Sequence, residues 1–165
     1  MRIFVVRHGP AGGPAEKARW KGRDHLRPLS AIGRRKLLQA AKGLERAAGA
    51  VELIATSPLV RAKQTAEILA KRLGARVVET AALSPGAAPE ETLRWLVERR
   101  ETAIAVVGHE PQLGLFVAWL CAAAREPVTE LKKGQACLIE LRGRAAGDGV
   151  LVWSLAPKQL RRLAD

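Results

Sequence analysis

The chain has no tyrosine, two phenylalanines, one methionine and two cysteines in 165 residues. Single-stranded nucleic acid is gripped by stacking its bases on aromatic rings interleaved with cations. With so few aromatics, and with basic residues spread along the chain rather than gathered, nucleic-acid binding is disfavoured as the main function. Cys121 and Cys137 lie singly inside apolar runs. That excludes a disulfide framework and the paired spacing of a zinc site, and reads as buried thiols in a reducing cytoplasm. No segment approaches the roughly 18 consecutive apolar residues of a membrane span. The apolar stretch Ile3 to Val6 is too short for the core of a signal peptide and no small-residue cleavage site follows it. The expectation is a soluble, cytoplasmic protein without a membrane partner.

Acidic residues are also scarce: 16 Asp and Glu stand against 28 Lys and Arg, a formal net charge of +12. Such a surface attracts anions without saying which anion. The length suits one domain over residues 1–165. Short β-branched runs alternate with helical patterns, which predicts an α/β fold: a three-layer α/β/α sandwich with a mostly parallel central sheet. Strands are expected at Ile3 to Val6, Val51 to Ala55, Arg76 to Glu79, Ala103 to Val107, Ala136 to Leu141 and Val150 to Leu155. Helices are expected from Ser30 to Ala48, where Leu37, Leu38, Ala41, Leu44 and Ala48 recur at helical spacing, then after Thr56-Ser57-Pro58 as far as Gly74, from Pro89 to Arg100, and after Pro111. Ala11 to Ala15, rich in glycine and proline, reads as a loop.

In parallel sheets ligands bind beyond the carboxyl ends of strands. Polar residues gather at three such ends: Arg7-His8-Gly9, Thr56-Ser57-Pro58-Leu59-Val60-Arg61, and Gly108-His109-Glu110-Pro111. A lone strand-end histidine is commonly structural, and an arginine in a helix's first turn is commonly solvated. Three such groups converging on one rim of a sheet instead make a cationic pocket with two imidazoles.

Arg7-His8-Gly9, Ser57-Pro58-Leu59-Val60-Arg61-Ala62-Lys63-Gln64-Thr65-Ala66 and Gly108-His109-Glu110 resemble, in order and spacing, the histidine phosphatase (phosphoglycerate mutase-like) superfamily. The short length, with Arg27-Pro28-Leu29-Ser30 and Gly33, then Leu83-Ser84-Pro85-Gly86, resembles its SixA-type phosphohistidine phosphatase branch. The resemblance implies a phosphoglycerate mutase-like fold, a nucleophilic His8 that becomes a phosphohistidine, and Arg7, Arg61 and His109 holding the phosphoryl oxygens. Neighbouring guanidinium charges should keep the His8 imidazole neutral with a free lone pair. The same cations neutralise the transferring phosphoryl group, a task magnesium performs elsewhere, so no metal or other cofactor is expected.

Gly9 reads either as the residue that lets the backbone approach the phosphate or as an ordinary turn glycine. Arg27 is a further phosphate contact by the resemblance, or an exposed loop arginine. His25 reads as surface, Glu110 as a helix-start acid, Lys132 and Lys133 as a solvated basic turn or a border of the pocket, and Trp20 as a loop aromatic that could anchor a partner. Many members of the superfamily supply a glutamate general acid after the second-strand region, but Leu83-Ser84-Pro85-Gly86-Ala87 holds no carboxylate. That departure handicaps alkyl phosphates, whose alkoxides need protonation, more than phosphohistidine, whose imidazole leaves readily. The expected substrate is therefore a phosphohistidine-bearing protein such as a histidine phosphotransfer domain. The alternatives are a small phosphorylated metabolite in the same pocket, or a non-catalytic anion or nucleic-acid binding module.

Overall fold

In strand β1 (Arg2–Arg7) successive side chains belong to different cores: Ile3 and Val5 to one, Phe4 and Val6 to the other. A strand apolar on both faces has to lie inside a sheet covered on both sides. The computed structural model, which describes residues 1–165, contains that sheet. After β1 come α1 (Pro14–Arg19), a one-turn 3-10 helix at Asp24–Leu26, α2 (Ala31–Ala48), β2 (Leu53–Thr56), α3 (Val60–Leu73) and β3 (Arg76–Glu79). A second 3-10 turn at Ala81–Leu83 leads to α4 (Pro89–Val97), β4 (Ala103–Gly108), α5 (Gln112–Ala122), β5 (Ala136–Leu141), β6 (Gly149–Leu155) and α6 (Pro157–Leu163).

The strand order is β3-β2-β4-β1-β5-β6. The first four strands are parallel, while β5 and β6 pair antiparallel, so the sheet is mostly parallel with one antiparallel end. Helices α2, α3 and α6 cover one face, placing Leu37, Leu44, Ala66, Leu69 and Leu160 against Phe4, Val6, Ile54 and Val107. Helices α4 and α5 cover the other, placing Leu93, Leu96, Phe116 and Leu120 against Ile3, Val5, Ile104 and Val106. Each large side chain fully buried this way stabilises the fold by about 1.5–3 kcal/mol. The result is the three-layer α/β/α sandwich.

Helix α2 is the long buttress of the first face. Ser30 caps it, its Oγ accepting from Gly33 N–H at 3.0 Å. Two glycines of α2 permit backbone contact: a Cβ on Gly33 would lie 2.0 Å from the Pro10 carbonyl oxygen, and one on Gly43 would lie 1.8 Å from the Leu160 carbonyl oxygen. Gly33 thus seats the segment that follows His8, and Gly43 seats α6.

Several boundaries differ from the sequence expectation. Strand β2 starts at Leu53, and α4 ends at Val97. Helix α3 starts at Val60 with no side-chain cap; the Ser57 hydroxyl just ahead of it is shared between His109 and the Leu59 N–H. The stretch read as a loop, Ala11 to Ala15, runs into α1, which opens on Pro14 and buries no residue. Helix α6 was not anticipated; it holds one buried residue, Leu160. Strand β6 forms one edge of the sheet, with a register shift opposite Leu138/Ile139 and with Val150, Leu151 and Val152 exposed in succession.

Candidate active site

The register of the parallel strands builds the site. Arg7 pairs with Gly108 and Thr56 with Val107, so the next residues, His8, His109 and Ser57, emerge side by side at one rim. The His8 and His109 ring centroids are 5.0 Å apart. His8, Arg7, Arg27, Arg61 and His109 line a cleft of about 610 Å³ with no hydrophobic residue in its wall.

The hydrogen bonds of His8 define its tautomer. Nδ1 lies 2.7 Å from the Gly9 carbonyl oxygen, which can only accept, so Nδ1 carries the proton. Nε2 then holds the lone pair, and Arg61 Nε–H donates to it at 3.3 Å. Burial, then the charges of His109, Arg61 and Arg7, lower the His8 pKa to about 3. Burial, then Arg61 and Arg7, lower His109 to about 3 as well. Both rings are neutral near pH 7.

Ser57, fully buried, lies 2.7 Å from His109 Nε2 and accepts from Leu59 N–H at 3.2 Å. Nε2 is the only acceptor within hydrogen-bond reach of that buried hydroxyl, so its single proton goes to Nε2. The His109 ring proton therefore sits on Nδ1, a buried atom without a partner in the protein. The sequence reading missed this role because serine before a helix is the ordinary sign of a cap.

Arg61 stands in the first turn of α3. Its Nη1 donates to the Asp24 carbonyl at 2.8 Å and its Nη2 lies 3.0 Å from Asp24 Oδ2. Arg27 Nε donates to Asp24 Oδ1 at 2.8 Å and Nη1 to the Ala11 carbonyl at 2.8 Å. Arg27 is thus a buried wall of the cleft rather than an exposed loop arginine. Burial raises the Asp24 pKa, but the Arg27 hydrogen bond and the Arg61 charge outweigh it and leave it lowered. No motif singled out Asp24; the only signal was an acid three residues before Arg27.

The opposite wall is a clamp on the backbone of one residue, Leu131. Leu131 N–H donates to Glu110 Oε1 at 3.1 Å, and the Leu131 carbonyl accepts from Arg7 Nη1. Glu110 Oε2 also accepts from Gly114 N–H at 3.3 Å. Glu110 therefore braces the wall as well as opening α5; burial raises its pKa against the pull of these two hydrogen bonds. Gly134 N–H donates to the Arg7 and His8 carbonyls at 3.1 Å, which hangs the 132–135 turn on the end of β1 and brings Lys133 into the cleft wall. Burial, with the charges of Arg7, Arg27, Arg61 and Lys17, lowers the Lys133 pKa. Of the two readings of Lys133, the structure supports the pocket border over the solvated turn.

The phosphate-approach reading of Gly9 is also revised. Gly9 does not line the cleft, and its N–H donates to Thr65 Oγ1 at 3.1 Å. Thr65 Oγ1 in turn donates to the Arg61 carbonyl at 2.8 Å, tying the His8 loop to α3. A Cβ at Gly9 would come within 3.2 Å of Leu29 and Leu37, so glycine serves packing there. His25 is exposed and does not line the cleft. Trp20, at the end of α1, is half-buried with the Arg23 guanidinium 5.8 Å from its ring. Nowhere do three or more His, Cys, Asp or Glu side chains group to hold a metal ion. No helix is long and apolar enough to cross a membrane.

This geometry has relatives. The model of the histidine phosphatase superfamily (branch 1) matches residues 3–84. An uncharacterised protein of Picosynechococcus sp. is 36% identical over 151 residues, covering 88% of this chain and 87% of that protein. Phosphohistidine phosphatase SixA of Escherichia coli is 25% identical over 168 residues, covering 98% of this chain and 97% of the relative. A solved structure of the protein histidine phosphatase SixA complexed with tungstate superposes with a TM-score of 0.80 at 25% identity, covering 97% of this chain and 99% of that one. Motifs, matched segment and fold agree: the chain belongs to the histidine phosphatase superfamily.

Proposed function

We propose that this phosphatase removes the phosphoryl group from phosphohistidine on a protein such as a histidine phosphotransfer domain, through a phosphohistidine formed on His8 and without a metal ion. The observation that carries the reading is the fixed tautomer of His8, whose neutral Nε2 lone pair stands between Arg61 and His109 in the cleft. The lone pair attacks phosphorus as the bond to the substrate's ring nitrogen breaks. The substrate ring, protonated on its other nitrogen, departs as neutral imidazole. Water then attacks the phosphorus on His8, the N–P bond returns its electrons to Nε2, and phosphate leaves with the proton balance taken by solvent. Arg7, Arg27 and Arg61 neutralise the phosphoryl oxygens and the Nδ1–H of His109 donates a hydrogen bond to them, the electrostatic contribution a metal would otherwise supply.

The carboxylates of the cleft favour phosphohistidine over alkyl esters. Asp24 is held ionised between two arginines, and Glu110 accepts from two backbone N–H groups. Neither is placed as a free acid for an alkoxide, whereas imidazole, with a reference pKa of about 6.5, needs none. The similarity to phosphohistidine phosphatase SixA over nearly the whole chain supports the same substrate class.

The test compares kcat/KM for a phosphorylated histidine phosphotransfer domain, aryl phosphates and sugar phosphates, with base quenching to trap labelled enzyme. Phosphohistidine should lead, rates should fall steeply with leaving-group basicity, and acid-labile, base-stable label should appear on the wild type but not on His8→Ala. EDTA should leave activity intact. A sugar phosphate that outruns phosphohistidine overturns the substrate; label on His8→Ala overturns the nucleophile; loss of activity with EDTA, restored by a divalent metal, overturns metal independence.

A further inference from the structure

The cations of this molecule fall into two groups. Those with acidic partners include Arg7, Arg27, Arg61, Lys63, Arg72, Arg76, Arg99 and Arg125. Among those with none, six lie along one path. Lys133, in the wall of the phosphate cleft, also lines a neighbouring crevice with Lys36 of α2 and Arg161 of α6. Arg161 in turn lines the next hollow with Lys42, Lys158 and Arg162. The path is continuous because Gly43 lets α2 and α6 touch backbone to backbone, so their outer faces form one surface. Acids are nearly absent from it: the one acid of α2, Glu45, is paired with Arg72, and α6 has none, leaving Asp165 beyond its end. Lys158 stands in the first turn of α6, where the helix dipole disfavours a cation.

We propose that this stripe, running from Lys133 over Lys36 and Arg161 to Lys42, Lys158 and Arg162, is the docking surface for an acidic face of the phosphohistidine-bearing protein. The proposal rests on the substrate reading above and says how that substrate is recognised. A small phosphorylated metabolite is accommodated within the cleft, but Lys42 lies about 9 Å further along α2 than Lys36, out of its reach. A protein whose phosphohistidine enters the cleft lays its surrounding surface over the rim. No tryptophan or phenylalanine lines the stripe, so there is no platform for stacking bases, and an acidic protein fits better than nucleic acid. Unpaired cations beside an active site accelerate encounter with an oppositely charged partner, and that acceleration falls with ionic strength.

The test uses Lys42→Glu/Lys158→Glu, both exposed and remote from the reacting atoms, beside the charge-conserving Lys42→Arg/Lys158→Arg. Substrates are a phosphorylated acidic histidine phosphotransfer domain and an activated aryl phosphate. The charge reversal should lower kcat/KM for the phosphoprotein about tenfold or more and flatten its salt dependence, with aryl phosphate turnover unchanged and the Arg pair like wild type. Glutamate at position 158 suits the start of α6, so melting of that helix would not explain the loss. Unchanged phosphoprotein kcat/KM and salt dependence in an enzyme active on aryl phosphate overturns the docking surface alone. Oligonucleotide binding abolished by the reversal while phosphoprotein hydrolysis is untouched assigns the stripe to nucleic acid and overturns it too. A wild type idle on the phosphoprotein yet active on aryl phosphate overturns the substrate reading, and the docking proposal with it.

Discussion

Ser57 contributes one proton, and where that proton goes decides what His109 offers a phosphate. With Ser57 donating to Nε2, the ring presents Nδ1–H as a donor; without it, a neutral ring is free to carry its hydrogen on the other nitrogen. Ser57→Ala should therefore lower kcat about tenfold to a hundredfold with a much smaller change in KM, and Ser57→Thr should recover most of it, since an orienting partner acts on the transition state through the imidazole. Unchanged kcat in Ser57→Ala would remove the role. The protonation states of the two rings are open to NMR: with both pKa values near 3, set first by burial, the His8 and His109 ring signals should not titrate between about pH 5 and 8. An inflection near neutrality in either ring sinks that assignment. Because the folded values lie below the ordinary value of 6.5, the unfolded chain takes up protons that the folded one refuses between about pH 6.5 and 3. These histidines therefore erode stability as pH falls through that window and add no further pH dependence below it.

Helix α2 holds two glycines with the same steric demand and different neighbours. A methyl group at Gly43 meets α6, whereas one at Gly33 meets the Pro10 carbonyl just after His8. Both Gly33→Ala and Gly43→Ala should cost stability, about 1–3 kcal/mol by the usual penalty of overpacking, readable as a fall in Tm. Only Gly33→Ala should also collapse kcat, because a shift near 1 Å at the nucleophile forfeits about a hundredfold; equal kcat in the two variants would show that the His8 loop is not positioned by α2. At this scale the sequence is legible where an element is long enough to show a period. The amphipathic rhythm of Leu37, Ala41, Leu44 and Ala48 reveals α2, and Gly74 ends α3 in the left-handed conformation as expected. Helix α1 buries nothing and α6 buries only Leu160, so neither leaves a hydrophobic pattern to read. His8 and His109 were legible because strand register brings them together, and Arg61 because it opens the helix that follows β2. Asp24, Glu110 and Lys133 were not, since their roles arise from loops packed across the rim.

For the whole molecule, the dominant quantity is the formal charge of +12, which gives every copy a repulsive field toward every other. The sheet has an edge that needs such protection. Strand β6 is the last strand on its side and displays Val150, Leu151 and Val152, with 38, 47 and 48% of their surfaces exposed. Unpaired backbone groups beside exposed aliphatic side chains are a template for another strand, and the register shift opposite Leu138/Ile139 only partly twists that edge away. Counter-ions at about 1 M shorten the reach of charge to about 3 Å, at which point two β6 edges approach almost as neutral bodies. Light scattering should therefore rise with added salt, and Leu151→Lys on the exposed edge should suppress the rise without altering turnover; scattering that stays flat, or that persists in the variant, would place the self-association elsewhere. The colloidal behaviour of this protein is thus governed by the same long-range charge that draws its substrate: the ionic conditions that weaken capture also let its copies clump.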